Sequence, residues 1–102
     1  MQGMSIDELF ASLANASASA AELLQRSAAL PTSVRLGGVG RLAASGSLAK
    51  VEFSGIVAVI EAALSRGDQA TQDAVATGFI EAMVNSGGYA SSLGPLAQKY
   101  CA

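Results

Sequence analysis

Apolar residues between Phe53 and Met83 fall into two stripes with the three-and-four spacing of an α-helix. The first stripe contains Phe53, Ile56, Val57, Ile60, Ala63 and Leu64, and the second contains Val75, Phe79, Ile80 and Met83. This spacing places side chains on one helix face, so the segment predicts two amphipathic helices. Between them stands Arg66-Gly67-Asp68, in which Gly67 suits a left-handed helix end and Asp68 an N-cap. So short a connection predicts antiparallel neighbours, a central helical hairpin.

Gly78 lies inside the second predicted helix. Glycine there costs about 1 kcal/mol relative to alanine. Because the neighbouring Phe79 is large and faces inward, we interpret Gly78 as a point of close backbone approach. The predicted partner in this contact is either the N-terminal helix or a second copy of the chain.

Residues 5–29 predict either one helix with a weak or bent middle, or two shorter helices. Ser5 is suited to be an N-cap, with acidic residues in the following turn. Ser19 and Glu22 fit a capping box from which a second helix could start. A single helix is the preferred interpretation. Pro31 ends it, because a residue that precedes proline is pushed out of helical geometry.

Residues 32–50 are predicted to be a loop with a short helix, because four glycines and three serines lie between Ser33 and Ser47. A strand over Val34–Val39 would have no partner strand. After the hairpin, Gly87-Gly88-Tyr89 is predicted to be a flexible joint. A last short helix is expected to begin near Pro95.

These segments together predict an all-α fold, a compact bundle of four to five helices around a central antiparallel helical hairpin. The length of 102 residues fits one domain over residues 1–102. Gln2-Gly3 before Met4 is typical of an expression tag, so the natural start is expected at Met4.

The composition changes this picture in one respect: 51% of residues are hydrophobic and only 14% are charged. So little polar surface favours self-association into a homodimer and is compatible with a further protein partner. Six scattered Lys and Arg residues and a net charge of −2 argue against a nucleic-acid partner. No apolar run is long enough for a membrane span, and no signal peptide is visible. With a single cysteine, Cys101, these features predict a cytoplasmic protein.

Gly38-Val39-Gly40-Arg41-Leu42-Ala43 matches a loose dinucleotide-binding pattern. In a genuine site the acidic residue follows about 20 residues later, after a full helix. Here Glu52 comes 12 residues after Gly40, which leaves no room for that helix. We therefore interpret these glycines as chance loop residues.

Arg66-Gly67-Asp68 spells an adhesion tripeptide, but each residue already has a role at a helix end. We therefore predict a structural role for this turn.

Candidate catalytic chemistry is sparse because the chain contains no histidine. Histidine is the commonest general base and metal ligand, and Cys101 alone cannot hold zinc. No nucleophilic serine motif occurs. We therefore expect no enzyme activity, no catalytic residue, no metal and no cofactor. Glu52, Glu61 and Glu81 could pair as an acid and a base across the hairpin, but solvated or ion-paired glutamates are the favoured interpretation.

Two functions therefore stay open. The first is a non-catalytic helical interaction module, self-associating or binding a protein partner, with Gly78 and Phe79 near its interface. The alternative is a small-molecule-binding protein or enzyme whose interhelical pocket uses Glu61, Glu81 and Tyr100. A closed cavity with both glutamates turned into it would favour the alternative.

The C-terminal half also resembles a known type of protein. The resemblance lies in Ile60-Glu61, Gly67-Asp68, Ala76-Thr77-Gly78-Phe79-Ile80-Glu81, Leu93-Gly94-Pro95 and Tyr100-Cys101. Through these motifs the segment from about residue 50 to residue 101 resembles small, uncharacterised bacterial all-helical proteins of the immunity and mobile-cassette type. The resemblance implies a compact helical fold with no known activity and no catalytic residues.

Overall fold

The computed structural model describes residues 3–87 and 93–101, and these residues form six helices and no strand. Five of the helices are α1 (Ile6–Ala16), α2 (Ala18–Arg26), α3 (Thr32–Ala44), α4 (Lys50–Arg66) and α6 (Pro95–Gln98, followed by a 3₁₀ turn, Lys99–Cys101). Helix α5 has three segments, α-helical Gln69–Ala74, π-helical Val75–Ile80 and α-helical Glu81–Asn85. The all-α prediction is confirmed, with one or two helices more than expected.

The most extensive packing is between α3 and α5, and α1 packs on both α2 and α4. Helix α2 also packs on α3, and α6 lies on α4. The core between them contains the largest fully buried side chains, among them Phe79, Leu9, Leu13, Leu36, Ile56 and Ile60. The two helices of the predicted hairpin are consecutive, but the principal neighbour of α5 is α3. None of the described helices is both long and apolar enough to cross a membrane.

The preferred prediction of one helix over residues 5–29 is wrong, because the chain breaks at Ser17. Ser17 has extended backbone angles, φ −150° and ψ 122°. Its N–H donates to the Leu13 carbonyl, which closes α1, and its hydroxyl accepts from the Ala20 N–H at 3.1 Å, which opens α2. One serine therefore ends one helix and caps the next, two residues before the predicted start at Ser19. The Ser5 cap of α1 is confirmed.

The predicted loop over residues 32–50 is also wrong, because Thr32–Ala44 is a continuous helix. Glycine lowers local helix propensity, but tertiary packing supplies most of the stability of a helix in a folded domain. Gly37 and Gly40 are buried in α3, where α5 lies against it. Gly37 and Gly40 therefore serve helix packing, whereas Gly46 lies after the helix and takes positive φ, +76°.

Arg35 fastens α3 to the N-terminal helices. Its guanidinium lies 4.3 Å from the centre of the Phe10 ring in α1. It also donates from Nη2 to the Leu24 carbonyl near the end of α2, at 2.8 Å. The cation therefore interacts with an aromatic face and with the negative end of a helix dipole.

The glycine at the α4–α5 joint does not have the backbone conformation expected of it. Gly67 has φ −69°, so the prediction of a left-handed residue is wrong. A Cβ at this position would overlap the Ala63 carbonyl oxygen, so lack of space rather than left-handed geometry explains the glycine. Gly87 does take positive φ, +88°, directly after α5. The rest of the predicted 87–89 joint lies outside the described residues, as does the side chain of Cys101.

The Arg66-Gly67-Asp68 turn joins two helix ends, as predicted. The Asp68 carboxylate accepts from the Thr71 N–H at 2.8 Å and caps α5. The Met4 N–H donates to the Arg66 carbonyl, and the Met4 carbonyl accepts from the Asp68 N–H and the Thr71 hydroxyl. The N-terminal segment therefore lies along the turn.

Candidate functional site

Helices α3 and α5 approach each other closely through their glycines. A Cβ on Gly78 would lie 2.9 Å from the Leu36 Cβ and 3.0 Å from the Ser33 carbonyl oxygen, and a Cβ on Gly40 would overlap the Phe79 carbonyl oxygen. The predicted close approach at Gly78 is therefore present, but its partner is α3, the segment predicted to be a loop. Gly78 and Phe79 are buried within the chain, where they stabilise the fold.

These contacts also give the relative direction of the two helices. They advance from Ser33 opposite Gly78 to Gly40 opposite Met83, so residue numbers rise together along both helices. Helices α3 and α5 therefore run parallel. Helix α4, which lies between them in the sequence, returns the chain to the end of the bundle where α5 begins.

The middle of α5, Val75–Ile80, is π-helical. π-Helical turns are rare and frequently occur at functional sites. Val75, Phe79 and Ile80 are all buried in this segment. An α-helix would turn the side chain of Ile80 well away from that of Val75, since the two are five residues apart. Val75 and Ile80 would stand at the two edges of an ordinary α-helical stripe, so the sequence has no distinct signal for the wider turn.

A cleft of 390 Å³ opens between α3 and α5 at the surface. Gly37, Gly78 and Ala82 contribute only small side chains to its lining. Arg41 on α3 and Glu81 on α5 are its charged residues. The cleft is thus open to a ligand group or to an edge of another molecule, with one cation and one anion available.

A second cleft, of 190 Å³, lies on the other side of α5. Glu81 and Asn85 line both clefts, and Val84 and Tyr100 line only the second. The two clefts therefore adjoin along one exposed edge of α5. We call this surface the α3–α5 face, and its members are Val34, Arg41, Glu81, Val84, Asn85 and Tyr100.

Apolar side chains are exposed on this face. Five large hydrophobic residues are exposed among those described, and three of them belong to the face: Val34 at 45%, Val84 at 41% and Tyr100 at 51%. Exposed apolar groups gathered in one region mark interaction surfaces more often than groups scattered singly.

The two charged residues of the face have no partner within the described part of the chain. In the described part of the chain the only ion pair joins Arg26 to Glu22, at 3.9 Å. Within the same residues neither Arg41 nor Glu81 has a side-chain hydrogen bond. Arg41 is folded back along its helix, because its Nη1 atom lies 3.5 Å from the position that a Gly37 Cβ would take. Its guanidinium therefore lies beside the cleft.

Glu61 lies elsewhere, at the N-terminus of α6. Its two carboxylate oxygens accept from the Leu96 N–H at 3.0 Å and the Ala97 N–H at 2.8 Å. Gly94 permits this contact, because a Cβ there would overlap the Glu61 side chain. Glu61 lines neither of the two clefts, so it is not brought together with Glu81 and Tyr100, which share the second cleft.

Glu52 caps another helix. Its carboxylate accepts from the Ser17 hydroxyl at 2.8 Å and from the Ser19 N–H at 3.2 Å, at the N-terminus of α2. The bond from the Ser17 hydroxyl, followed by that from the Ser19 amide, lowers the pKa of Glu52 below its ordinary value of 4.5. Two of the three glutamates considered for acid–base chemistry thus hold helix ends together across the fold. Their sequence separation from those ends hides this role.

The lowered pKa of Glu52 predicts a specific acid sensitivity. Because the unfolded chain binds this proton more readily, Glu52 stabilises the fold above its unfolded pKa, and the contribution is lost as pH falls through its folded pKa. In Glu52→Gln we expect lower stability at pH 7 and a shallower loss of stability below about pH 4.5. Urea unfolding followed at a series of pH values measures both effects.

Ser17→Ala removes the principal donor to Glu52 and provides the matched variant. It should also flatten the acid limb of the stability profile. Parallel profiles for the wild type and both variants would refute the assignment of Glu52 as a charged cap.

No group of three His, Cys, Asp or Glu residues in the described ranges is arranged to hold a metal ion. Comparison with protein-family models, with curated proteins and with solved structures gives no match for this chain. The α3–α5 face is accordingly the candidate functional site of this chain.

Proposed function

We propose that this chain is a non-catalytic helical interaction module of the cytoplasm, and that it forms a homodimer through the α3–α5 face. The main support comes from the exposed apolar groups. Three of the five exposed large hydrophobic residues in the described part of the chain line two adjoining clefts: Val34, Val84 and Tyr100. Burying such groups against another protein removes apolar surface from water, which is the main driving force of association.

The low charge of the chain supports this proposal. Only 14% of its residues are charged, so few side chains oppose burial of a surface patch. A second protein partner would use the same face in competition with self-association.

Val84→Asp tests the role of the apolar groups. The change places a charge among apolar groups on the α3–α5 face, and we expect dimer affinity to fall at least about tenfold. Sedimentation velocity at several protein concentrations measures the dissociation constant. Val84 is exposed, so the variant should keep the wild-type helix content by circular dichroism.

Val51→Asp is the matched control. Val51 is 78% exposed in the first turn of α4 and lines neither cleft, so its replacement should leave the dimer intact. A wild-type chain that stays monomeric at about 100 μM, a concentration that would reveal even a weak dimer, would refute self-association. Equal dimer affinity in Val84→Asp and Val51→Asp would show that the α3–α5 face is not part of the dimer interface.

A small-molecule site is the second candidate. The 390 Å³ cleft lies within the usual range of ligand pockets, about 300–1,000 Å³. Its unpaired Arg41 and Glu81 would suit a small zwitterion such as an amino acid. In that case Val84→Asp would change neither the oligomeric state nor ligand binding, since Val84 does not line this cleft.

A further inference from the structure

We infer that the α5 edge of one copy enters the cleft between α3 and α5 of a second copy, and that reciprocal Arg41–Glu81 ion pairs hold the two copies together. This inference rests on the self-association proposed above and specifies its partner and its contacts. The occupant is thus a second copy of this chain.

The α3–α5 face has complementary charges within one surface. Arg41 and Glu81 line the same cleft, both are exposed, and neither has an ion-pair partner in the described part of the chain. An interface that pairs opposite charges gains specificity and speeds association. Because one face has one of each sign, a second copy supplies the complement of both.

The shape of the cleft also suits the edge of a second copy. Gly37, Gly78 and Ala82 form part of its lining, and none of these three has a side chain larger than a methyl group. Small residues allow the edge of another helix to approach closely. The adjoining edge of α5 presents Glu81 and Val84, both exposed. One face therefore contains both a recess and an edge that can enter it.

Twofold symmetry would repeat the same contact twice. A twofold dimer uses the same patch on both copies, so a contact from residue i to residue j is repeated from j to i. Arg41 of each copy would therefore face Glu81 of the other, and each dimer would have two equivalent ion pairs. Val34 and Val84 would be covered at the rim of the same contact.

Charge reversal tests this pairing directly. Arg41→Glu gives the face two acidic groups, and Glu81→Arg gives it two basic groups. Each variant alone should dimerise at least about tenfold more weakly than the wild type, because like charges then oppose one another at both contacts. An equimolar mixture of the two variants should associate again, because every contact between unlike copies joins opposite charges.

The double variant Arg41→Glu/Glu81→Arg should likewise recover dimer affinity. Lys50→Glu, which makes the same change of charge at the start of α4, should leave dimer affinity unchanged. Sedimentation velocity provides the readout. Circular dichroism checks each variant, and both positions are exposed, so the fold should tolerate the replacements.

The outcomes separate this inference from the proposed function. A wild-type dimer that persists in Arg41→Glu and in Glu81→Arg would overturn the ion pairing and leave self-association standing. A mixture no tighter than its components would also overturn it. A monomeric wild type would overturn the proposed function and this inference together.

Discussion

Replacing Gly40 with alanine is expected to lower the free energy of unfolding by about 1–3 kcal/mol, the usual cost of adding a methyl group to a filled core. In an unobstructed helix the same replacement would stabilise by about 1 kcal/mol. Here the new Cβ would overlap the Phe79 carbonyl oxygen and lie 3.2 Å from the Met83 nitrogen. Both are backbone atoms of α5, so relief requires the two helices to move apart.

Gly37→Ala is the matched control in the same helix. Its Cβ would lie 3.5 Å from the Arg41 Nη1 atom and 3.7 Å from the nearest atoms of α5, which are ordinary contacts. We expect unchanged stability or a gain of up to about 1 kcal/mol from helix propensity. Urea unfolding of both variants measures the contrast. If Gly40→Ala were as stable as Gly37→Ala, α3 and α5 would not be as close as described.

Phe79→Ala should be the more damaging change, with a loss of about 3–5 kcal/mol. Phe79 is the largest fully buried side chain among those described, and its backbone lies at the α3–α5 contact. The deletion leaves a cavity that the adjoining helices cannot fill without shifting. Small domains have a free energy of unfolding of about 5–15 kcal/mol, so this change would remove a large part of it.

Phe53→Ala provides the comparison, because Phe53 is only partly buried at the start of α4. Its loss should be smaller than that of Phe79→Ala in the same urea titration. If Phe79→Ala does not fold, Phe79→Leu retains most of the volume and gives a measurable, smaller loss. Equal losses at positions 53 and 79 would show that the core is not centred on Phe79.

Local patterns were sufficient to predict much of this fold from the sequence. The stripes of α4 and α5 and the caps at Ser5 and Asp68 depend on residues within a turn or two of one another. The all-α class follows from these patterns, and so does the structural role of Arg66-Gly67-Asp68. The fold needs no distant information at these points.

The failures occur where distant contacts decide the structure. The glycines of Thr32–Ala44 hide its helix from local patterns. The residues of α5 that pack against these glycines and stabilise the helix are about forty positions away in the sequence. The break at Ser17 is supported by Glu52 from α4, which no local pattern could reveal. In both cases a weak local preference is overridden by a contact formed only in the folded chain.

The candidate site was predicted only in part. Gly78 and Phe79 were correctly interpreted as a place of close packing, and Glu81 and Tyr100 do share a cleft. The sequence does not separate Glu61 from them, because its role as a cap for α6 involves residues 35 and 36 positions further on. Arg41 stands out in the sequence only as part of a nucleotide motif, since its place beside Glu81 depends on the unexpected helix.

The parallel arrangement of α3 and α5 has a consequence for the order of folding. Contact between Gly40 and Phe79 closes a loop of roughly forty residues, and the entropy of that closure must be offset before the contact is favourable. With three glycines of its own, α3 has little tendency to form before α5 arrives. We therefore expect formation of the third helix in the chain to be coupled to that of the fifth, so that in hydrogen exchange the amides of both helices gain protection together.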